Sequence, residues 1–261
     1  MERTEVYRGL AFPRGVDHPT RRPYTVVNMV CTVDGKVVVG GPGTTRLIGS
    51  PTDHYLMAKI EFQADAVLLG AGLIREDDPP YPRLSARRRR QREAMGLRPD
   101  PLWVVLSASG AFPRLPRLFA EGQRNTALIT TDRLAPEPRA LLAEHTQVIV
   151  GDEAERTQVP VVGEAAVDVL QMGRILRDTF AVNSMVCLGG PVLNASMLAA
   201  GAADELFVTV APKLQGGSRM PTLLEGKGYP PEELPVLDLL SLYSDGSDLF
   251  LRYRLPSGIK Q

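Results

Sequence analysis

The sequence is poor in the residues that build metal centres and disulfide frameworks. It contains only two cysteines and three histidines in 261 residues. The histidines, His18, His54 and His145, show no ligand spacing, so no metal site is predicted. Cys31 and Cys187 lie in apolar runs of strand length, where a reduced, buried thiol is favoured over a disulfide. Composition therefore predicts neither a metalloprotein nor a disulfide-stabilised secreted domain.

Net charge and long apolar runs are also missing. Thirty Lys and Arg residues balance thirty Asp and Glu residues, so the chain as a whole gives no electrostatic basis for binding nucleic acid or a membrane surface. No apolar run reaches the roughly 18 residues of a membrane span, and residues 1–8 lack the apolar core of a signal peptide. We therefore expect a cytoplasmic protein with a small-molecule substrate and no nucleic-acid or membrane partner.

Apolar runs of strand length alternate with helical patterns along most of the chain. Strands are predicted at residues 24–31, 64–72, 102–106, 126–130, 148–150, 185–188 and 207–211, and helices at 50–63, 136–144, 163–179 and 191–200. A flexible loop is predicted at 40–43 and a rigid acidic loop at 73–82. Residues 236–243 and 248–255 predict an antiparallel hairpin, and the polar residues 1–22 predict an N-terminal surface arm before one domain, 23–261. The predicted fold class is α/β, with a mostly parallel central sheet and an antiparallel C-terminal hairpin.

A glycine pair joins one of these strands to the following helix. Gly189 and Gly190 come directly after the apolar run that ends at Leu188, and Pro191 begins the helical pattern. Such a junction directs the free N–H groups of a helix toward an anion, and glycine lets that anion approach the backbone. It is also what a plain βαβ crossover with closely packed glycines would contain, so the pair alone is a weak motif.

Ligands of mostly parallel sheets bind beyond the carboxyl ends of the strands, which selects a set of polar and glycine positions. These are Thr32, Asp34, Lys36, Gly70, Gly72, Asp77, Ser107, Ser109, Thr130, Thr131 and the run from Gly189 to Asn194. Several glycine turns and hydroxyls at successive strand ends suit an extended ligand with more than one phosphate, such as a dinucleotide. No G-x-G-x-x-G follows the first strand and no P-loop occurs, so neither an ordinary Rossmann site nor a P-loop site is predicted.

Two other features allow more than one interpretation. Asn28 stands inside a buried strand pattern, where it either hydrogen-bonds a neighbouring loop or contacts a ligand. Seven arginines fall between residues 83 and 98, which is typical of a polyphosphate or nucleic-acid patch or of a solvated helix. The second interpretation is favoured because that run has no aromatic residues to stack on bases.

Taken together, the motifs resemble one known family. They are Asn28 to Lys36, Ser50-x-x-Asp53, Ala64 to Gly72, Asp77-Asp78-Pro79, Gly189-Gly190-Pro191, Asp204-Glu205-Leu206 and Ala211 to Gly217. Their order and spacing, over roughly residues 23–255, resemble the riboflavin-biosynthesis reductase domain. That resemblance implies a three-layer dihydrofolate-reductase-like fold, the cofactor NADPH, a homodimer, and reduction of the ribose of a phosphoribosylaminopyrimidine. The fused zinc deaminase found in many members needs H-x-E and P-C-x-x-C ligands, which this sequence does not contain.

The resemblance also implies roles for individual residues. The cofactor side would comprise Cys31, Thr32, Gly70, Gly72, Leu73, Asp77, Ser107, Thr131, Gly189, Gly190, Pro191, Val192, Leu193 and Asn194. The substrate side would comprise Asn28, Ser50, Glu61, Tyr81, Arg83 and Leu188. Lys36 and Asp34 would lie at the reacting sugar, with the Lys36 ammonium as the proton donor and an exposed turn lysine as the alternative. Hydroxyls at Ser107, Ser109, Thr130 and Thr131, with Arg133, favour NADPH over NADH.

Four departures from the family pattern leave alternative functions open, and one of them is that residues 107–110 lack the arginine often found near Ser107. Glu61 stands where the family usually has an arginine, Leu73 replaces a cofactor-contacting threonine, and Leu188 replaces a glutamate. These changes allow a reductase of the same fold that acts on another heterocycle, such as a dihydropterin or dihydrofolate. They also allow a nucleotide-binding paralogue that has lost catalysis.

Overall fold

A computed structural model describes residues 5–14, 20–38, 47–151 and 167–256. The predicted loop 40–43, His18 and the first residues of the predicted helix 163–179 lie outside the described residues. Within the described part of the chain, none of the helices has the length and apolar character needed to cross a bilayer.

A single nine-stranded sheet with the strand order β5-β4-β3-β2-β6-β1-β7-β9-β8 forms the centre of the fold. Its strands are β1 Tyr24–Thr32, β2 Ala66–Gly70, β3 Leu102–Leu106, β4 Thr126–Thr130, β5 Gln147–Val150, β6 Ser184–Cys187, β7 Glu205–Ala211, β8 Asp238–Asp245 and β9 Asp248–Arg254. Strands β1 to β7 pair in parallel, and only the β7–β9 and β8–β9 pairs are antiparallel. The predicted parallel sheet with a C-terminal antiparallel hairpin is confirmed.

Helices cover both faces of this sheet, as the strand alternation requires. They are α1 Pro51–Glu61, α2 Ala71–Asp77, α3 Ala86–Ala94, α4 Arg117–Gly122, α5 Pro136–Ala143, α6 Val169–Phe180 and α7 Pro191–Ala199. In β2, Leu68 packs with residues of α6 and α7, whereas Leu69 packs with residues of α2, α4 and α5. Helix α1 covers β1 and β7 on the same side as α2. The fold therefore has three layers, with the apolar core divided between the two faces of the sheet.

Local signals account for most helix starts, and two predictions near α2 were wrong. The Ser50 hydroxyl caps α1 by accepting a hydrogen bond from the Asp53 N–H at 3.1 Å. The strand predicted to reach Gly72 ends at Gly70, and the following residues, expected to form a loop from Leu73, form helix α2. Burial of Ala71 and Ile74 against the sheet stabilises this helix although its glycine content is unfavourable.

The N-terminal segment is part of the core rather than a surface arm. Val6, Tyr7, Leu10 and Phe12 are all buried in the cluster that α1 forms with the sheet. The Tyr7 ring packs edge-on against Phe207, with 5.1 Å between ring centroids. The expectation of a surface arm is therefore wrong for these four side chains, because they cover an apolar part of β7 that α1 leaves open.

The arginine-rich segment has a structural role at the end of α1. Helix α3 carries Arg92, which is completely buried and donates hydrogen bonds to the carbonyl oxygens of Phe62, Ala64 and Arg98. Burial lowers the Arg92 pKa to about 10, so the side chain stays charged at neutral pH. One member of the predicted solvated helix is thus an internal clamp between α1 and α3, and no ligand is needed to explain it.

Candidate active site

The central strand β1 is incompletely covered near its carboxyl end. Residues Val26 and Val27 are buried, but Asn28, Met29 and Val30 are only half-buried before burial resumes at Cys31. A strand at the centre of a nine-stranded sheet is expected to be covered on both faces. The change in burial marks an opening over the sheet, and the side chain of Asn28 makes no hydrogen bond to the described residues. This opening is the natural place for a ligand.

The predicted glycine junction lies beside that opening. Gly190 is the N-cap of α7, and a Cβ built on it would meet no atom within 4 Å. Gly189, by contrast, has φ +81°, and a Cβ there would lie 2.9 Å from the Met29 sulfur. The Gly189–Gly190 peptide bond is cis. Gly189 is therefore required by packing, whereas Gly190 leaves open space at the start of a helix, which fits an anion next to the backbone.

Neighbouring strand ends hold this junction in place. The Gly70 N–H donates to the Gly189 carbonyl at 2.7 Å, and a Cβ on Gly70 would lie 3.4 Å from the Gly189 oxygen and the Gly190 nitrogen. Leu188 is half-buried between the clusters of α1 and α2. Pro191 and Val192 begin α7, with Val192 exposed and Leu193 buried in the core. The structure thus brings the carboxyl ends of β2 and β6 together.

Asn194 connects the start of α7 to the loop 213–228, which follows β7. Its side-chain amide donates to the Leu223 carbonyl at 3.2 Å, and its oxygen accepts from the Cys187 thiol at 3.7 Å. The side chain is buried, as is Cys187, where burial raises the thiol pKa to about 12. Asn194 therefore positions the loop beside the junction and does not face a ligand directly.

The first turn after β1 is occupied by structural hydrogen bonds. The Thr32 hydroxyl donates to Asp34 at 2.7 Å, and the Asp34 carboxylate accepts from the backbone N–H groups of Gln215 and Gly216. These bonds, led by that from Thr32, lower the Asp34 pKa to about 2. The Lys36 ammonium donates to the Met220 carbonyl at 3.0 Å.

Both predicted catalytic residues thus hold the loop 213–228 against β1. Asp34 is ionised at neutral pH, so it cannot serve as an acid there. Lys36 is half-buried and uses one of the three N–H donors of its ammonium group to bind a backbone carbonyl. Lys36 is therefore not the exposed turn lysine of the alternative interpretation, and its role as a proton donor stays a prediction.

Hydroxyls at the ends of β3 and β4 are also engaged with the backbone. The Ser107 hydroxyl accepts from the Gly110 N–H at 3.0 Å, and the Thr131 hydroxyl donates to the Ala108 carbonyl at 2.7 Å. Beside them lies a groove of about 400 Å³ lined by Asp132, Leu134, Pro136, Arg139, Ala140, Ala143 and Val150. Along α2, Gly72 is exposed, whereas Leu73 and Asp77 are half-buried. These residues form the outer part of the same edge of the sheet.

Three predicted substrate residues do not reach this edge. Glu61 ends α1, about 12 Å along the helix from Asp53. Tyr81 is buried, and its hydroxyl accepts from the Asn125 amide at 2.6 Å. Arg83 donates to the Glu121 carbonyl and stacks on Tyr81.

All three lie toward the opposite edge, where the parallel strands begin. Asn125 directly precedes β4, and the residues after Glu61 lead straight into β2. The structure therefore does not bring Glu61, Tyr81 and Arg83 together with the other predicted site residues, because their spacing from the motifs did not reveal at which edge they would lie. Ser50 does lie at the edge formed by the carboxyl ends of the strands, but there its hydroxyl caps α1.

A residue that the sequence interpretation did not assign lies next to the opening. Asp53, in the first turn of α1, is buried, and the nearby Thr209 hydroxyl opposes the burial that raises the pKa of its carboxyl group. Thr209 pairs with Val30 across β7 and β1. The acid at the third position after the Ser50 cap was visible in the sequence, but such acids commonly serve only the helix terminus.

Comparison with known proteins gives a match over nearly the same part of the chain as the resemblance in the sequence. A family model described as the RibD C-terminal domain matches residues 23–251. The chain belongs to this family. The 2,5-diamino-6-ribosylamino-4(3H)-pyrimidinone 5′-phosphate reductase of Archaeoglobus fulgidus is 27% identical over 208 residues, covering 80% of this chain and 89% of the relative. The enzyme of the same name from Methanothermobacter thermautotrophicus is 28% identical over 233 residues, covering 89% and 98%.

Solved structures share the fold with this member of the family. A pyrimidine reductase-like protein from Corynebacterium diphtheriae superimposes with a TM-score of 0.72 at 20% identity, covering 97% of this chain and 98% of the other. A riboflavin biosynthesis reductase from Saccharomyces cerevisiae gives a TM-score of 0.67 at 16% identity, covering 98% and 100%. The predicted dihydrofolate-reductase-like fold class is thereby confirmed.

Proposed function

We propose that this protein is an NADPH-dependent reductase that reduces the ribose of a ribosylaminopyrimidine 5′-phosphate in riboflavin biosynthesis. Membership of the RibD C-terminal domain family supports the reaction class. The names of the two archaeal relatives support a 2,5-diaminopyrimidinone rather than a uracil as the base. The observation that carries the proposal is the open space at Gly190, beside the uncovered part of β1.

The residues at this edge fit a reduced nicotinamide dinucleotide. A pyrophosphate beside Gly190 would accept hydrogen bonds from the first turn of α7, where the helix terminus favours negative charge. When bound, the cofactor supplies a hydride to an electrophilic carbon. The chain's own contribution is to hold two planar groups in contact and to exclude water. Half-buried Asn28, Val30 and Leu188 are suited to the substrate side, because they lie beside the junction on the face covered by α1.

Steady-state kinetics with purified substrate tests this proposal directly. We expect NADPH oxidation with the 2,5-diamino-6-ribosylaminopyrimidinone 5′-phosphate, a slower rate with the deaminated uracil compound, and no turnover of dihydrofolate. Turnover of dihydrofolate alone would show instead that the protein is a reductase of another heterocycle. Tight NADPH binding without turnover of any of the three compounds would identify an inactive nucleotide-binding paralogue.

Residues of the groove beside Thr131 select NADPH over NADH in this proposal. Its cation Arg139 is exposed and suits a 2′-phosphate, whereas Asp132 in the same groove would repel one. We expect Arg139→Ala to weaken NADPH binding more than NADH binding, and Asp132→Asn to do the opposite. Equal effects on the two cofactors, measured by nicotinamide fluorescence, would show that the adenosine end of the cofactor does not bind in this groove.

We also propose a homodimer that forms through the C-terminal hairpin. Leu239 and Leu242 on β8 and Leu249 on β9 share one face of the hairpin and are 53%, 54% and 41% exposed. A contiguous apolar face on an edge strand suits a second copy related by twofold symmetry. Sedimentation analysis should find a dimer that Leu242→Glu converts to a folded monomer, and a wild-type monomer at micromolar concentration would reject this arrangement.

A further inference from the structure

Asp53 is a buried carboxyl group that the proposed function leaves unused. It stands in the first turn of α1 with 6% of its surface exposed. A Cβ built on Gly49 would lie 2.2 Å from the Asp53 Oδ2, so only glycine at that position leaves room for the carboxylate. The loop before α1 is thus closely fitted over this side chain.

The charged surroundings of Asp53 come from four elements. Asp248 at the start of β9 is a buried acid, Lys213 follows β7, His54 is the next residue of α1, and Tyr7 belongs to the N-terminal segment. Burial and the Asp248 charge raise the Asp53 pKa, and the Thr209 hydroxyl, His54 and Lys213 oppose that rise. The net direction is upward, so the protonated form persists above the ordinary carboxyl range.

Strand register puts this carboxyl group beside the opening in β1. Thr209, whose hydroxyl influences the Asp53 pKa, is paired with Val30, and Val30 lies on the same face of β1 as Asn28. Both strand residues are half-buried, and the Asn28 side chain makes no hydrogen bond within the described part of the chain. The carboxyl group therefore lies one strand away from the opening, on the side covered by α1, which is the side proposed for the substrate.

We propose that Asp53 is the proton donor of the reduction, an inference that rests on the proposed function. Opening of the ribose ring moves the N–H proton to the ring oxygen and gives a carbon–nitrogen double bond with no net change in protons. A hydride from the reduced nicotinamide then forms the new C–H bond at the sugar carbon. The double-bond electron pair moves to nitrogen, which takes the proton of the Asp53 carboxyl group. The substrate is reduced, the nicotinamide is oxidised, and solvent reprotonates Asp53.

The pH profile of kcat/KM provides the test, because two neighbours shift the Asp53 ionisation in opposite directions. We expect activity to fall as pH rises through the raised pKa. Thr209→Val removes a hydroxyl group that favours the carboxylate, so the falling limb should move to higher pH. Asp248→Asn removes a like charge, so the limb should move to lower pH. Asp53→Asn should lower kcat by about 100-fold or more, the scale of general acid catalysis, with an unchanged Kd for NADPH.

A purely structural acid at the helix terminus would not produce these opposite shifts. Asp65 offers a matched control, since it is equally buried but binds the backbone of Asn183 and Ser184 at the start of β6. Asp65→Asn should lower thermal stability and leave the limb in place. A limb that stays fixed in both Thr209→Val and Asp248→Asn would overturn the assignment of Asp53 while leaving the reductase proposal intact.

A readout that does not need turnover separates the two proposals. Carboxyl 13C resonances of labelled protein, compared with those of Asp53→Asn, report the Asp53 titration directly. A raised pKa that Thr209→Val raises further supports the inference even before the substrate is established. An ordinary carboxyl pKa in the folded protein would overturn it. Absence of turnover by the wild type with all ribosylaminopyrimidines would count against the proposed function and, with it, against a donor role for Asp53.

Discussion

Replacement of Gly190 separates ligand binding from folding more cleanly than any other change at the candidate site. Its backbone has φ −72° and ψ −170°, which any residue can adopt, and an added Cβ would meet no protein atom within 4 Å. Gly190→Ala and Gly190→Val should therefore fold with stability close to that of the wild type. The new side chain would instead occupy the space proposed for the cofactor pyrophosphate.

The expected loss of affinity can be estimated from one displaced phosphate contact. A hydrogen bond to a charged group contributes about 1.5–3 kcal/mol, so its loss corresponds to a Kd about 10- to 150-fold weaker. We expect Gly190→Val to lie in this range for NADPH, with Gly190→Ala weaker than the wild type but less affected. Fluorescence titration of the reduced nicotinamide measures the Kd, and calorimetry of the free proteins measures their stability.

Gly189 provides the matched control. Its φ of +81° and the Met29 sulfur 2.9 Å from a built Cβ make any side chain there strained. Gly189→Ala should lower the free energy of unfolding by about 1–2 kcal/mol or more, the cost of a left-handed residue with a Cβ. A stable Gly190→Val variant that binds NADPH as tightly as the wild type would refute the site assignment.

Three other variants test structural roles assigned above. Arg92→Leu should lower the free energy of unfolding by at least about 1–3 kcal/mol, the cost of one unpaired buried polar group, and urea denaturation measures this. Tyr81→Phe should lower the free energy of unfolding by about 1 kcal/mol, because the hydrogen bond from Asn125 is lost, and should leave KM unchanged. A raised KM would instead show that Tyr81 contacts the substrate. Asp34 has its pKa lowered from 3.8 to about 2, so its contribution to stability is complete above the unfolded value and is lost as pH falls through about 2. Acid denaturation of Asp34→Asn should therefore lack that part of the pH dependence. Parallel curves for the variant and the wild type would contradict a stabilising role for the Asp34 hydrogen bonds.

Local patterns in the sequence predicted most of the fold. The apolar runs of β1, β3, β4 and β6 each lie within a residue or two of the observed strands, because a buried parallel strand needs continuous apolar residues. The Ser50 cap and the Pro191 start were equally readable, since capping depends on residues within one helical turn. Helix α2 was missed because its stability comes from packing of Ala71 and Ile74, not from its own propensity.

The order of strands and helices, the resemblance to a family and the glycine junction at Gly190 could all be predicted from the sequence, because each depends on neighbours in the chain. Which polar groups at the strand ends are occupied by internal hydrogen bonds became visible in the folded chain alone. Asp34 binds residues 181 and 182 positions away, and Lys36 binds one 184 positions away. Those partners come from the loop after β7, so no local pattern could reveal them. The same long-range pairing brings Thr209 to Asp53 and leaves Asn28 half-buried at the opening of the sheet.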